Sequence, residues 1–284
     1  MMTLVNDIDA IPAPTRLPAV IALAAAIAGP RRGRDRAAAL ALAGDALRAC
    51  GPHARILVSG RGADNNGRDV DDKRRDVDDK RRDELVVLWD RGAPGAEQAE
   101  EACRAALAAV RAVRLSGLTR AGGRPLALRV GVATGTGPIR LAGPAGEGRQ
   151  DAVAAATRLL AANARYGTAV IIAEDLRRLA GARIQVRELD RMGMAARGTS
   201  AGTIHELLRA APERGAGPSW VALYEAGLAA YRGGDWVGAL SLLQMLLAVR
   251  GHDRPAMLLI ERCRRRLAAT QGQPGGYTRR VSPP

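Results

Sequence analysis

The sequence lacks phenylalanine altogether and is poor in the other aromatic residues. Its 284 residues include only three Trp and four Tyr, although hydrophobic residues make up 47% of the chain. The interior must therefore be filled mainly by Ala, Leu and Val, which provide many small contacts and few large aromatic anchors. The length allows one large domain, or a domain with a smaller appendage.

Cysteine and histidine are also scarce. The cysteines Cys50, Cys103 and Cys263 are widely separated, and the histidines are His53, His205 and His252. This spacing excludes a disulfide framework and a structural zinc site, and it is typical of a protein from a reducing cytoplasm. We therefore predict a cytoplasmic location and a structural role for the isolated histidines.

No hydrophobic run is long enough to cross a bilayer. The apolar, Ala-rich stretch 17–29 is too short to span a membrane. Asp7 and Asp9 precede it, where a signal peptide would carry positive charge. Its composition predicts a buried helix over residues 18–29, and no membrane span is predicted.

Lysine is nearly absent, since only Lys73 and Lys80 accompany the arginines in a chain of net charge +14. A basic surface of this kind attracts nucleic acid or a nucleotide. Alternatively, a GC-rich genome replaces Lys by Arg without any functional reason. We favour the second interpretation, because the arginines are spread along the chain and aromatic stacking partners are few. No nucleic-acid partner is predicted.

Both lysines belong to a charged tandem repeat, in which residues 68–74 recur as residues 75–81. Each copy offers one apolar residue, so a coiled coil is excluded and a solvated insertion over about 61–82 is predicted. The aspartates of the repeat could bind a divalent ion, but the segment lacks the glycine and the final Glu of a calcium loop.

Hydrophobic periodicity predicts alternating strands and helices along the rest of the chain. The predicted strands are 3–9, 55–59, 84–89, 124–134, 169–173, 184–189 and 202–208. The predicted helices are 18–29, 35–50, 97–115, 150–168, 174–180, 219–232, 236–250 and 254–268. Pro and Gly in residues 211–218 indicate a linker before the last three helices, and residues 269–284 are predicted to be disordered.

The segment from Gln150 to Thr168 carries the most specific motif. Its Asp151-Ala152-Val153 start, followed by Arg158, resembles the signature helix of the class III adenylate/guanylate cyclases. Segments 83–90, 99–109 and 128–135 are similar to further motifs of that family in the same order, and segment 223–239 resembles its helical extension. The resemblance implies an α+β fold, with a ferredoxin-like cyclase palm over 1–210 and a tetratricopeptide-like extension over 219–268.

The resemblance also implies a set of site residues. Two carboxylates of the family hold Mg²⁺ or Mn²⁺, and the positions that match them are Asp7 and Asp83, with Asp64 or a repeat aspartate as competitors of Asp83. Arg158 matches the arginine that neutralises charge on the reacting phosphate. The nucleotide-binding candidates are Glu147, for the adenine amino group, and Arg197, for phosphate.

The sequence departs from the family pattern at Arg82, where Gly is normal, and over residues 9–12. In the signature helix, Ala154 stands where the family has an Asn four residues before Arg158. Residues four apart share a helix face. The resemblance therefore implies a purine nucleoside triphosphate cyclase with impaired catalysis, acting as a homodimer or as a heterodimer with another cyclase domain. The alternative is a catalytically silent homologue that serves as a regulatory or protein-interaction module.

Overall fold

The computed structural model describes residues 19–28, 34–51, 54–59, 84–89, 95–120, 123–136, 152–192, 202–210 and 219–271. These residues form seven strands and seven helices. The strands are β1 Ala19–Ile27, β2 Arg55–Ser59, β3 Glu84–Trp89, β4 Leu128–Thr136, β5 Val170–Ala173, β6 Ile184–Met192 and β7 Gly202–Ala210. The helices are α1 Arg34–Cys50, α2 Ala96–Leu115, α3 Ala152–Tyr166, α4 Glu174–Ala180, α5 Ser219–Arg232, α6 Trp236–Arg250 and α7 Arg254–Gln271.

All seven strands form one sheet in the order β2-β3-β1-β4-β5-β7-β6. Neighbouring strands are antiparallel, except for the parallel pair β4 and β5. The first four strands, with α1 and α2 as crossovers, run in the order β2-β3-β1-β4, which is the ferredoxin-like arrangement. The predicted α+β, ferredoxin-like fold is therefore confirmed.

The predicted helix over 18–29 is wrong, because this segment forms strand β1 at the centre of the sheet. Residues Ile21 to Ala25 have no exposed surface. Ile21 and Leu23 face the core beneath α1 and α2, whereas Ala22 and Ala24 face α3. Alanine has the highest helix propensity, but a strand that is covered on both faces is selected by its packing rather than by its propensity.

Helix α3 lies unusually close to strand β4. A Cβ atom added at Gly131 would lie 2.1 Å from the carbonyl oxygen of Ala156 and 2.5 Å from the amide nitrogen of Leu160. Small residues line both sides of this contact, among them Ala133 on the strand and Ala155 on the helix. The Ala-rich composition thus brings the helix backbone onto the sheet, and this contact fixes the height of α3 above it.

Helices α5, α6 and α7 pack around an apolar core of their own. Its buried members include Tyr224, Leu228, Leu243, Leu246 and Leu259. The helices α5 and α6 have the predicted bounds, and α7 continues to Gln271. The predicted division into domains remains a prediction, since strand 3–9, insertion 61–82, linker 211–218 and the chain beyond 271 lie outside the described residues. Among the helices that are described, none has the length and apolarity needed to cross a membrane.

Candidate functional site

Arg158 lies on the flank of α3, where its side chain is half-buried. Its Nε atom is shielded from solvent and has no hydrogen-bond partner among the described residues. Ala154, one turn earlier on the same face, provides no polar group that could accept from it. A buried donor without a partner is rare in folded proteins, and a guanidinium donor is best satisfied by an anionic oxygen. The flank of α3 therefore carries a guanidinium charge that no described carboxylate balances.

Asn163 fixes the C-terminal half of α3 to the sheet. Its fully buried side-chain amide donates to the carbonyl oxygen of Val130 at 2.9 Å, and its Oδ1 atom accepts from the Thr168 hydroxyl at 2.8 Å. These contacts join the helix to β4 and to the turn before β5. Arg158 therefore projects from a helix that is held at its C-terminal end as well as along its packed face.

The same end of α3 is connected to the helical extension through Asp190 on β6. The Tyr166 hydroxyl donates to Asp190 Oδ2 at 2.6 Å, and Arg262 on α7 donates to the same oxygen at 2.6 Å. Burial and the bond to Asp190 raise the pKa of Tyr166 to about 12. Although burial alone would raise the pKa of Asp190, the bonds from Arg262 and Tyr166 lower it overall. Helix α7 thus contacts the helix that carries Arg158 through an ionised carboxylate.

The described residues do not form the two-carboxylate metal site that the resemblance implies. The candidates Asp7, Asp83, Glu147 and Arg197 all lie outside the described residues. Strand β1 contains no acidic side chain, and the residue that it places opposite Glu84, directly after Asp83, is Ala26. Within the described ranges, no cluster of three His, Cys, Asp or Glu residues could hold a metal ion.

A second polar cluster joins α4 to β7. Glu174 begins α4 directly after β5, and its Oε2 atom lies 2.6 Å from His205 Nε2. The same carboxylate accepts hydrogen bonds from Arg177 at 2.7 and 2.8 Å and from Arg178 at 2.9 Å. Sequence reasoning missed this cluster, because the antiparallel pairing of β5 with β7 brings together two residues that are 31 positions apart.

The electrostatics of this cluster favour a neutral imidazole and an ionised carboxylate. Desolvation lowers the pKa of His205, although Glu174 opposes this effect. The hydrogen bond from Arg177, followed by those from His205 and Arg178, lowers the pKa of Glu174 to about 2. Since an ionised carboxylate only accepts, Nε2 of His205 carries the proton, and Nδ1 is left as a buried acceptor without a partner in the described structure.

The cluster lies at a cleft of about 280 Å³ between α4, β6, β7 and α5. Its lining residues are Glu174, Arg177, Val186, Glu188, Thr203, His205 and Glu225. An imidazole hydrogen bonded to a carboxylate is the usual arrangement of a general base. Here, however, the free Nδ1 atom is shielded from solvent. The geometry agrees with the predicted structural role of His205.

The Glu174 cluster predicts an acid-sensitive contribution to stability. The pKa of Glu174 is lower in the folded protein than its ordinary value of 4.5. The stabilisation that its ionised carboxylate provides is therefore complete above about pH 4.5 and is lost as the pH falls towards about 2. We expect Glu174→Gln to reduce the difference in unfolding free energy between about pH 5 and about pH 3. Urea unfolding followed by circular dichroism measures this difference.

The matched control is Glu261→Gln, which removes an exposed carboxylate from α7. An exposed ion pair contributes little to stability, so this variant should keep the pH dependence of the wild type. Equal pH dependence in wild type and Glu174→Gln would contradict the assignment of an acid-sensitive contribution to Glu174.

Solved structures of nucleotide cyclase domains, the family that the sequence motifs resemble, are similar to this chain. The guanylate cyclase domain of RhGC from Catenaria anguillulae, in complex with GTP, is 14% identical with a TM-score of 0.45, over 69% of this chain and 98% of that one. The adenylyl cyclase CyaB from P. aeruginosa is 16% identical with a TM-score of 0.44, over 70% and 97%. The adenylate/guanylate cyclase/hydrolase from Silicibacter pomeroyi is 15% identical with a TM-score of 0.42, over 68% and 97%. No protein-family model and no curated protein matches the chain.

Proposed function

We propose that this chain is a degenerate homologue of the class III purine nucleotide cyclases that binds a nucleoside triphosphate at α3 and has impaired catalysis. The observation that carries the proposal is the half-buried guanidinium group of Arg158, which has no ion-pair partner among the described residues and lies on the helix with the cyclase-like motif. A phosphate group beside the exposed part of this guanidinium would neutralise its charge with charge-assisted hydrogen bonds. The expected role of Arg158 is thus to bind phosphate and to neutralise its charge.

Two features support impaired catalysis. Ala154 offers no side-chain donor at the position where the family's Asn contacts the nucleotide, and the loss of one transition-state donor costs about 10²–10³ in turnover. Strand β1 also provides no carboxylate beside the start of β3, which is where a metal ligand is needed. Asp7 and Asp83 remain candidates for binding Mg²⁺ or Mn²⁺ from segments outside the described residues.

Pairing with a second cyclase domain would determine how much activity remains. The resemblance implies a head-to-tail dimer in which each site combines the metal ligands of one chain with the signature helix of the other. A homodimer would carry the Ala154 substitution in both sites. A heterodimer with an intact cyclase would carry it in one site only. The proposed biological role is therefore nucleotide-dependent signalling, with this chain as the weaker or regulatory member.

The catalytic defect is tested by restoring the missing side chain. We expect wild type, with Mn²⁺ and ATP or GTP, to form cyclic nucleotide very slowly, and Ala154→Asn to increase turnover by about 10²-fold. The matched control is Ala161→Asn, which places the same side chain at an exposed position of α3. Chromatographic quantification of cyclic nucleotide and pyrophosphate provides the measurement.

Nucleotide binding is tested separately from turnover. Arg158→Gln should weaken the binding of ATP or GTP by about tenfold, as expected for the loss of one charge-assisted hydrogen bond. Equal affinity of wild type and Arg158→Gln would overturn the placement of the nucleotide at α3. If neither nucleotide binds wild type at all, the chain is a silent protein-interaction module.

The interaction module is the second candidate, and the outer face of α6 favours it. Val237, Met245 and Val249 are exposed on this face, with 56–66% of their surface accessible. Met245 lies eight residues after Val237 and four residues before Val249, so the three side chains form one apolar stripe along the helix.

A further inference from the structure

A groove between α5 and α7 contains three arginines on one face of a helix. Arg262, Arg265 and Arg266 line it together with Ala269, and Tyr231 at the end of α5 forms the opposite wall. The spacing of three, four and seven residues places the four α7 side chains on one helix face, which borders the groove. Arg262 is partly buried in this groove, whereas Arg265 and Arg266 are exposed at its rim.

The positive charge in this groove is only partly balanced. Arg262 donates to Asp190, whereas the carboxylate nearest to Arg265 is the exposed Glu261 at 3.4 Å. Arg266 forms no ion pair with any residue that the structure describes, and more than a third of its surface is exposed. The guanidinium of Arg266 is therefore available, and that of Arg265 is held only by an exposed ion pair, which contributes little. Each offers a planar array of donors that matches phosphate oxygens.

The shape of the groove favours a small ligand. Its volume is about 350 Å³, which lies within the range of roughly 300–1,000 Å³ that is usual for small-molecule sites. The methyl side chain of Ala269 leaves space at one end, and Tyr231 provides an aromatic wall with a hydroxyl group. A nucleic acid backbone would instead require arginines that are spread along an extended surface.

We propose that the groove between α5 and α7 binds a phosphate-bearing small molecule through Arg265 and Arg266, with Arg262 and Tyr231 completing the site. This anion site lies on the helical extension and uses none of the residues assigned to the nucleotide at α3. It is therefore independent of the proposed function. Its ligand class is an organic or inorganic phosphate with at least two negative charges.

The test uses the full chain and inorganic pyrophosphate as the probe, in calorimetric titrations at an ionic strength of about 0.15 M, where surface charges are largely screened. Arg265→Gln and Arg266→Gln should each weaken binding by about tenfold. The matched control Arg264→Gln removes the same charge from an exposed α7 position that does not line the groove, and it should change affinity by no more than about twofold. Thermal unfolding monitored by circular dichroism verifies that each variant is folded.

Three outcomes would overturn the proposal. Equal losses in all three α7 variants would indicate attraction to a diffuse basic face. A loss in Arg158→Gln, with unchanged binding in Arg265→Gln and Arg266→Gln, would place the anion at α3. Binding of a short single-stranded oligonucleotide through the same arginines, with higher affinity than pyrophosphate, would identify a nucleic-acid surface. A loss confined to the groove variants supports the site, whether or not ATP or GTP binds at α3.

Discussion

Replacing Asp253 by Ala is expected to lower the free energy of unfolding by about 3 kcal/mol, the lower end of the cost of removing one partner from a buried ion pair, because Arg187 keeps its second carboxylate, Glu206. Asp253 precedes α7 and accepts two hydrogen bonds from Arg187 Nη1, at 2.9 and 2.8 Å. Only 1% of the Asp253 side chain and 2% of the Arg187 side chain are exposed. The variant would therefore leave the buried guanidinium of Arg187 with one carboxylate partner, Glu206, instead of two.

The surroundings of Arg187 explain why this loss cannot be compensated by water. Its Nε atom donates to Glu206 at 2.6 Å, and its guanidinium carbon lies 5.0 and 4.8 Å from the ring centres of Trp220 and Tyr224. Both aromatic residues belong to α5. The ion pair therefore connects the sheet, through β6 and β7, with two helices of the extension, and its loss should loosen this junction first.

Asp253 has a second role that must be separated from the ion pair. Its Oδ1 atom also accepts from the backbone amide of Ala256, which caps the first turn of α7. Asp235 provides the matched control, since it caps α6 through Gly238 at 2.8 Å, is exposed, and forms no ion pair within the described residues. Asp235→Ala should lower the free energy of unfolding by only about 1 kcal/mol. Guanidinium unfolding curves measure both losses, and equal losses would contradict a stabilising role of the buried pair.

Gly131→Ala is expected to lower the free energy of unfolding by about 1–3 kcal/mol, although alanine normally favours regular structure over glycine. The new methyl group would lie 2.1 Å from the carbonyl oxygen of Ala156 and 2.5 Å from the amide nitrogen of Leu160. Both contacts are with backbone atoms, so no side-chain rotation can relieve them. Helix α3 must move away from β4, which also opens the contacts around Ala133 and Ala155.

A glycine with free space around it gives the opposite expectation. Gly44 lies within α1, and the nearest atom to an added Cβ is the Arg48 guanidinium, at 3.7 Å. Gly44→Ala should therefore stabilise the protein by about 0.5–1 kcal/mol, since alanine reduces the entropy lost on helix formation. Equilibrium unfolding of both variants compares them directly. If Gly131→Ala were as stable as Gly44→Ala, α3 would not be in close contact with the sheet.

The movement of α3 should also be detectable at the proposed nucleotide site. Arg158 projects from this helix, and Asn163 holds the helix end to Val130 of β4. Gly131→Ala should thus weaken binding of ATP or GTP, whereas Gly44→Ala should not. Binding that is unchanged in a destabilised Gly131→Ala protein would show that Arg158 does not depend on the position of α3.

The periodic elements of the chain could be predicted from the sequence, and the central strand could not. Helix α2 has a regular apolar face, and the predicted bounds of β2, β3 and α4 to α6 agree with the structure. The error at β1 has a specific cause, because a strand buried on both faces has no alternation of polar and apolar residues. An uninterrupted run of Ala, Ile and Leu is compatible with either a buried helix or a buried strand.

The candidate site was predictable only where its residues are neighbours along one helix. Ala154 and Arg158 are four residues apart, so their shared face follows from helical geometry alone. The pairs Glu174 with His205 and Arg187 with Asp253 are separated by 31 and 66 positions, and only strand pairing and helix docking bring them together. Nothing in the local sequence distinguishes these residues from solvated surface charges.

The sequence by itself determined the helices and most strands, the ferredoxin-like order implied by its motifs, and the placement of Arg158 on α3. The helices, the strands and the position of Arg158 follow from the periodicity of consecutive residues, whereas the ferredoxin-like order is implied only by the family resemblance of the motifs. Only the tertiary structure decided that residues 19–27 form the central strand, that Arg158 has a buried unsatisfied donor, and that three arginines of α7 line one groove with Tyr231. Burial, close packing and ion pairing between distant residues depend on how the elements pack, and for that reason they appear only when the chain is folded.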